Sequence, residues 1–375
     1  MTWLYRLVLV VAIGAVYATV GRFAFIDYDD PIFVTENTEV QKGFQPSSVA
    51  WAFRNIEAAN WIPITWLTHL LDWECWKNWA GGHHLQSLGW HVAGSLLLFE
   101  ALRLATGHVT ASFAVAMIYA LHPMHVESVA WISERKGIVS SAFGMLTLLT
   151  YVIYTLQPGP DRLSLVVISY ILGLMAKPML IPLPLLLILL DYWPLRRIQL
   201  SGTSTSEIGL APTISWGRVI VEKWPLYLAS AVFVPIAYST QQTGSAISSF
   251  EGLPLRYRLA NADYSLVTYL RRYFWPSDLA VFYPHPKDSL GLVTLGVCLA
   301  ILLTISVFVF RMRNKMPWLA VGWLWYLIMI LPLSGMIPIG SHGMADRYSD
   351  LPLIGITIAI VWTISMIVGQ WKSRA

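Results

Sequence analysis

The stretch WLYRLVLVVAIGAVYATVG, residues 3–21, and the RFAFIDYDDP that follows it, residues 22–31, decide the class of the fold. An apolar run leads directly into three acids, Asp27, Asp29 and Asp30. A membrane-spanning helix needs about 20 apolar residues, and this run is long enough. With Arg6 ahead of its apolar core it resembles a secretory signal, and we interpret it as an uncleaved anchor. The stretch therefore predicts a membrane protein with an acidic segment at the membrane surface.

The composition of the whole chain agrees with a membrane class. Its 375 residues are 56% hydrophobic and 12% charged, with a mean hydropathy of +0.58. A soluble domain carries about 25% charged residues. The net charge of +4 comes from scattered basic residues without a recognition motif, which argues against nucleic-acid binding. Cys75 and Cys298 lie too far apart in sequence and context to indicate a disulfide framework or a zinc site.

Reading the apolar runs predicts an all-α polytopic bundle of about ten transmembrane helices, which forms a single membrane domain over residues 1–375. Lys and Arg are concentrated in the loops on one side, which the positive-inside rule assigns to the cytoplasm. Long outer loops at about 22–86 and 242–289 are expected to carry interfacial helices, because they combine Trp with helical spacing of apolar residues. The predicted spans are 3–21, 87–105, 110–122, 137–156, 164–177, 179–194, 224–241, 290–310, 317–338 and 351–370.

A few basic residues lie beside span ends on the predicted outer side, against the usual charge bias. They are Arg135, Lys136, Lys177 and Arg347. Arg135 and Lys136 also begin a helix, where free backbone amides favour an anion. The pattern indicates an anion site near the outer membrane surface. The alternative is that these side chains only extend to the interface, or that Arg347 pairs with Asp346 or Asp350.

Acids and histidines on the same side are candidates for chemistry. Asp27, Asp29 and Asp30 fit a general base, and adjacent carboxylates raise one another's pKa. Alternatively, they only solvate the end of the first span. In HPMHVESVAWISERKG, residues 122–137, the spacing of His122, His125 and Glu127 is compatible with a metal site. It is equally compatible with a hydrogen-bonded surface loop. No phosphate-binding glycine loop and no nucleophile elbow occurs.

Several blocks of the chain together resemble a known family over about Phe25 to Gly355. They are similar to the membrane region of the transmembrane and tetratricopeptide-repeat glycosyltransferases. This family includes the eukaryotic O-mannosyltransferases and belongs to the GT-C superfamily. The blocks are FIDYDDPIFVTENTEVQKGF, NWIPITWLTHLLD, GGHHLQSLGWH, ALHPMHVESVAWISERKG, GLMAKPMLIPLPLLLILLDYWPL, WPSDLAVFYPHP and MADRYSDLPLIG.

The resemblance implies an inverting hexosyltransferase that moves a sugar from a polyprenyl-phosphate donor to an acceptor hydroxyl. The expected acceptor is Ser or Thr of an exported protein. Asp29 and Asp30 would act on that hydroxyl, whereas the position of Asp27 is more often Asn in the family. The donor phosphate would be bound by Arg135, Lys136, Lys177 and Arg347. Further substrate-site candidates are His83, His84, His122, His125, Glu127 and Asp346.

The resemblance also sets expectations for location and partners. The protein is expected in the bacterial inner (cytoplasmic) membrane with its active face in the periplasm. Its partners would be the lipid-linked sugar, membrane lipid, an acceptor protein or glycan, and other membrane subunits, but no nucleic acid. No cofactor beyond the donor is implied. A divalent metal is compatible with the chemistry but not required, with His122, His125 and Glu127 as its candidate ligands.

One departure from the family keeps other functions open. Family members usually carry tetratricopeptide repeats after the membrane domain, and we find none in this sequence. The first alternative is therefore a non-catalytic subunit of a larger membrane complex that keeps the GT-C fold. The second is a lipid or polysaccharide transporter, which predicts charged residues along a path inside the spans. Here the charged clusters lie at one face instead.

Overall fold

The computed structural model describes residues 2–198, 211–243, 253–337 and 342–372. Within these ranges the chain is all-α apart from one antiparallel pair of short strands, β1 (Tyr283–Pro284) and β2 (His342–Met344). Parts of the predicted outer loops, 244–252 and 338–341, lie outside the described residues. The helices are α1 (Thr2–Tyr17), α2 (Pro46–Arg54), α3 (Pro63–Trp76), α4 (Ala80–Thr106), α5 (Val109–Leu121), α6 (Val126–Ala130), α7 (Arg135–Leu156), α8 (Pro160–Ala176), α9 (Leu183–Tyr192), α10 (Trp216–Val221), α11 (Trp224–Thr243), α12 (Leu255–Phe274), α13 (Leu292–Met312), α14 (Pro317–Ile330) and α15 (Pro352–Lys372).

A helix lies in each of the ten predicted spans, but the prediction of ten full spans is wrong. Of the described helices, four are long and apolar enough to cross a membrane: Thr2–Arg22, Ile132–Leu156, Leu292–Met312 and Pro352–Gly369. A fifth results if Val109–Leu121 and Pro123–Ala130, which meet at 52°, form one broken span. The helices α9 and α14 have only 10 and 14 residues, whereas a span needs about 20. An all-α membrane protein is supported, while the alternation of inner and outer loops stays a prediction.

The main core forms where α7 packs against both α4 and α8, with α14 and α15 beside them. Small residues allow the closest approaches. Gly322 of α14 and Gly355 of α15 lie so close that a Cβ on either would collide with the other's carbonyl oxygen. Gly94 of α4 faces Ala142 of α7, where an added Cβ would be in ordinary van der Waals contact at 3.5 Å. Such contacts are typical of helices that associate in lipid, where close backbone packing replaces the hydrophobic effect.

The two predicted interfacial segments are helical, but the first packs more deeply than a surface belt. Within α3, Trp66 is fully buried and stacks on Phe33 at 5.0 Å, while Trp51 of α2 meets Trp66 edge-on. Trp79 remains about half exposed. The second segment is α12, which ends at Phe274, immediately before Trp275 and Pro276. The first outer segment is therefore a small folded layer with its own core.

Several connections between helices meet at one end of the bundle and surround a cavity. They include the segment after α1, the 3₁₀ turn Ile132–Glu134 before α7, and the Lys177–Pro182 link between α8 and α9. The 3₁₀ turn Asp346–Tyr348 before α15 joins them. Residues that are far apart in the sequence thereby become neighbours at this end.

Candidate functional site

A large cavity of about 1390 Å³ opens at this end of the bundle. Part of its wall is charged and part is apolar. The charged part holds Asp29, Glu134, Lys136, Lys177 and Arg347, and Glu57 also lines the cavity. The apolar part comes from the α8–α9 link, from α11 and from the segment after α14, and includes Met179, Ile181, Pro182, Val234, Ala237, Leu333 and Ile337. The cavity therefore suits a ligand that combines a long apolar group with an anion.

Glu134 is the centre of the charged wall. Its Oε1 lies 3.0 Å from Lys136 Nζ and 3.3 Å from Arg347 Nε, and its Oε2 lies 3.0 Å from Lys177 Nζ. The Glu134 side chain is only 4% exposed. A buried carboxylate is stable as an anion when several cations and hydrogen bonds surround it. We call Glu134, Lys136, Lys177 and Arg347 the cationic cluster.

Each cation of the cluster has a further restraint that fixes its position. Lys136 Nζ donates to the Ser133 carbonyl at 2.8 Å and lies over the Phe33 ring at 4.7 Å. The backbone carbonyl of Lys177 accepts a hydrogen bond from Ser140 Oγ at 2.9 Å, which fixes the chain where α8 ends. Arg347 lies beside Glu127 and donates to it, Nη1 to Oε1 at 2.6 Å and the backbone N–H to Oε2 at 3.1 Å. The cluster is therefore preorganised.

Electrostatics keep Arg347 cationic despite its burial. Burial opposes the charge, but Glu134, Tyr348 and Glu127 outweigh that effect and raise the pKa of Arg347 above its already high value. His342 also lines the cavity, and burial lowers its pKa to about 4. At neutral pH His342 is accordingly neutral. The positive charge on this wall comes from the two lysines and the arginine.

Asp29 lines the cavity, and its carboxylate accepts no hydrogen bond from the part of the chain that the structure describes. The charges of Lys136, Glu134 and Arg347 nevertheless act on it. Partial burial raises the pKa of Asp29, while Lys136 works against the rise. A carboxylate with a raised pKa, open to a cavity, is suited to accept a proton from a substrate hydroxyl.

Asp30, the neighbouring candidate, has a different environment. It is 1% exposed and does not line the cavity. Its Oδ1 accepts hydrogen bonds from Ser133 Oγ at 2.5 Å and from Ser133 N at 3.2 Å, and its Oδ2 accepts one from Ile26 N at 3.0 Å. Asp30 thus fastens the segment after α1 to the turn before α7. Asp27 is exposed at the surface.

Arg135 is separated from the other predicted phosphate ligands. It is fully buried and forms an ion pair with Asp72. Its other donors go to Ser87 Oγ at 3.0 Å and to the His83 carbonyl at 2.5 Å. Arg135 and Lys136 are adjacent residues at the start of α7, so their side chains point to different sides of the helix. Arg135 joins α3, α4 and α7 and does not line the cavity.

The predicted histidine candidates make separate hydrogen bonds. His122 Nε2 pairs with the Tyr273 carbonyl at 3.0 Å, and His125 Nδ1 pairs with the Tyr119 carbonyl at 2.7 Å. Glu127 binds Arg347 instead. The spacing His122, His125 and Glu127 therefore does not produce a compact ligand set in this structure. In the described ranges, the group of side chains close enough to share a metal is His69, Asp72 and His83.

That buried group already has a cation in contact. Asp72 pairs with Arg135, and His83 Nδ1 lies 3.1 Å from Asp72 Oδ2 while its Nε2 pairs with the Lys77 carbonyl at 2.9 Å. Complete burial lowers the pKa of His69 well below its usual range, and the charge of Arg135 acts in the same direction. The guanidinium beside Asp72 opposes a second cation there, so we assign the group a structural role.

The two remaining candidates also stabilise the surroundings of the cavity. His84 Nε2 is 3.4 Å from the Ala24 carbonyl and so contacts the segment after α1. Asp346 pairs with Arg272 at 3.3 Å and accepts a hydrogen bond from Tyr283 at 2.7 Å. These contacts hold the β1–β2 pair against α12, beside Arg347. Neither side chain lines the cavity.

Comparison with known proteins finds similarity to part of the chain. Over 100 residues, 27% of this chain, it is 29% identical to the Mus musculus protein described as Protein O-mannosyl-transferase TMTC3. It is 27% identical over 100 residues to the Homo sapiens protein of the same description. The chain spans about a tenth of the length of these relatives, with 10% of each matched. No family model and no solved structure matches the chain.

Proposed function

We propose that the protein is an inverting glycosyltransferase of the GT-C type. It would move a sugar from a polyprenyl-phosphate donor to an acceptor hydroxyl, Ser or Thr of an exported protein, at the periplasmic face of a bacterial inner membrane. The observation that carries the proposal is the cationic cluster beside the carboxylate of Asp29 in one cavity with apolar walls. The partial similarity to proteins described as O-mannosyl-transferases supports the same reaction class.

The roles of the residues follow from their positions in the cavity. The apolar wall would hold the polyprenyl chain, and Lys136, Lys177 and Arg347 would hold its phosphate. Asp29 takes the proton from the acceptor hydroxyl as the hydroxyl oxygen forms a bond to the anomeric carbon. The bond between that carbon and the phosphate oxygen breaks, and polyprenyl phosphate leaves with the electron pair. The three cations stabilise the negative charge that grows on the phosphate.

The base is assigned to Asp29 rather than to Asp30. Asp30 has both carboxylate oxygens engaged in hydrogen bonds within the protein, so neither oxygen is available to a substrate hydroxyl. Asp29 has no such partner among the described residues and faces the cavity. A positioned general base contributes about 10²–10⁴-fold to a rate.

The proposal is tested by sugar transfer in proteoliposomes that contain a polyprenyl-phosphate sugar and a Ser/Thr peptide. Asp29→Asn should lower kcat at least about a hundredfold. Asp27→Asn is the matched control, because Asp27 is exposed and away from the cavity, and it should keep nearly full activity. Unchanged turnover in Asp29→Asn would refute the assignment. A wild-type protein without transfer, purified in constant ratio with other subunits, would favour the non-catalytic alternative.

A further inference from the structure

Glu134 stands where an incoming phosphate would have to bind. Three cations point at its carboxylate, at N–O distances of 3.0 to 3.3 Å. If a lipid phosphate binds these same cations, as the proposed function requires, Glu134 competes with it and repels it. This acid therefore needs an explanation beyond the general binding of an anion.

The charge balance of the cluster supplies that explanation. The carboxylates in contact with the three cations are Glu134 and Glu127, the latter through Arg347. The carboxylate of Asp29 lies in the same cavity, and its charge also acts on Lys136. The three cations are therefore already balanced by acids, and each further negative charge on a ligand meets the repulsion of Glu134. A phosphodiester, with the phosphate between a lipid and a sugar, carries one negative charge, whereas a diphosphate, or the phosphate monoester left after transfer, carries about two.

We propose that Glu134 is an internal counter-ion that limits the charge of the anion the cavity accepts. It holds Lys136, Lys177 and Arg347 together before the donor binds. With the donor bound, Glu134 favours a lipid phosphodiester over a dianion. After transfer, its repulsion promotes release of the dianionic phosphate monoester. Glu134 is a specificity-determining residue and takes no proton in the reaction.

The relation between ligand charge and binding gives the proposal a quantitative form. In a Coulomb interaction, the repulsion from one carboxylate is twice as large for a dianion as for a monoanion. Glu134→Gln keeps the size and polarity of the side chain and removes its charge. If the variant binds a monoanion tighter by some factor, it should bind the dianion tighter by about the square of that factor. At distances of a few ångströms and partial screening, we expect a factor on the order of tenfold for the monoanion.

Two alkyl phosphates that differ by one charge provide the probes. Dodecyl methyl phosphate is a monoanion and dodecyl phosphate is largely a dianion at pH 8. Their dissociation constants are measured by calorimetry on the full chain in uncharged detergent. Each probe partitions into micelles equally with either protein, so partition cancels in the change of the ratio from wild type to variant. The wild type should favour the diester, and Glu134→Gln should shift the ratio about tenfold toward the monoester.

Two further variants separate charge from structure. Glu134→Asp keeps the charge and should keep the wild-type ratio. Glu57→Gln removes another carboxylate that lines the cavity. Asn37 and Asn55 donate to Glu57 at 3.2 and 3.3 Å, and the three cations pair with Glu134 and Glu127 instead. This variant should therefore move the ratio by less than Glu134→Gln does. Chromatography and thermal unfolding confirm that each variant is folded.

The outcomes distinguish this inference from the proposed function on which it rests. If the wild type binds both probes and Glu134→Gln leaves their ratio unchanged, Glu134 does not select charge, and the inference fails alone. If Glu134→Asp shifts the ratio as much as Glu134→Gln does, the effect is structural and the inference fails likewise. If the wild type binds neither probe, the lipid-phosphate function fails and this inference fails with it.

Discussion

Substitution of Asp30 by Asn provides a sharp test of the way the structure divides the two adjacent acids. Asp30 accepts two hydrogen bonds from Ser133 on one oxygen and one from Ile26 N on the other. Asparagine offers a single acceptor oxygen, so its amide group must face a donor on one side. Loss of one charge-assisted hydrogen bond costs about 1.5–3 kcal/mol, and a buried donor left without a partner costs about 1–3 kcal/mol. The two figures overlap, because both describe the same donor losing its partner, so they do not add in full. We expect Asp30→Asn to lower the free energy of unfolding by about 3 kcal/mol.

The assay is unfolding of the purified protein in mixed micelles with increasing SDS, followed by tryptophan fluorescence. Asp27→Asn, at an exposed position, should change the free energy of unfolding by no more than about 0.5 kcal/mol. Asp29→Asn should also have a small effect on stability, because no described residue hydrogen-bonds its side chain. The reasoning is refuted if Asp30→Asn is as stable as Asp29→Asn, or if Asp29→Asn proves the less stable of the two.

Three more results are expected. Lys177→Met removes one cation from the cluster and should raise the KM for the donor by about tenfold in the transfer assay; an unchanged KM would contradict phosphate binding there. Partial burial raises the pKa of Asp29, against the influence of Lys136, and a general base works only when deprotonated. The acid limb of the pH–rate profile should therefore lie above the ordinary Asp value of about 3.9, and a limb at or below that value would argue against Asp29. Gly322→Leu should destabilise the protein by more than about 3 kcal/mol through collision of α14 with α15, while Gly14→Leu, with nothing within 4 Å of its Cβ position, should be close to neutral in the same SDS titration.

Local sequence patterns predicted the secondary structure better than the membrane topology. The amphipathic spacing of apolar residues in α12 indicates a helix, and Pro276 lies just beyond its end at Phe274. The ten spans do not follow from apolar runs alone. An apolar run such as α9 is equally suited to the protein interior and to lipid, and here Leu187 and Leu190 of α9 are buried in the main core. Hydropathy does not distinguish burial in protein from burial in lipid.

The sequence indicated where the site lies but not the orientation of each side chain within it. The basic residues beside span ends pointed to Lys136, Lys177 and Arg347, which the structure brings together around Glu134. Arg135 had the same sequence signal, yet its side chain points into the core. Neighbouring residues of a helix face different directions. Arg135 is the one that points into the core, where Asp72 forms an ion pair with it.

Asp29 and Asp30 pose the same difficulty in the segment after α1. Both belong to one acidic turn, and no local rule separates them. The distinction depends on Ser133, more than 100 positions away in the chain, which occupies Asp30 through two hydrogen bonds. Glu134 and Lys136 both belong to the ERK sequence at the start of α7, but Lys177 and Arg347 are brought to Glu134 by two other connections of the fold.

The central claim is that the cationic cluster binds a lipid-linked phosphodiester with its sugar facing Asp29. The most direct measurement is a cryo-electron microscopy map of the full chain with a non-hydrolysable phosphonate analogue of a polyprenyl-phosphate sugar. The account predicts phosphorus density within about 4 Å of the Lys136 and Lys177 amines, the lipid along the apolar wall and the anomeric carbon on the side of Asp29. Density for the phosphonate away from these lysines, or an empty cavity at saturating analogue, would contradict it.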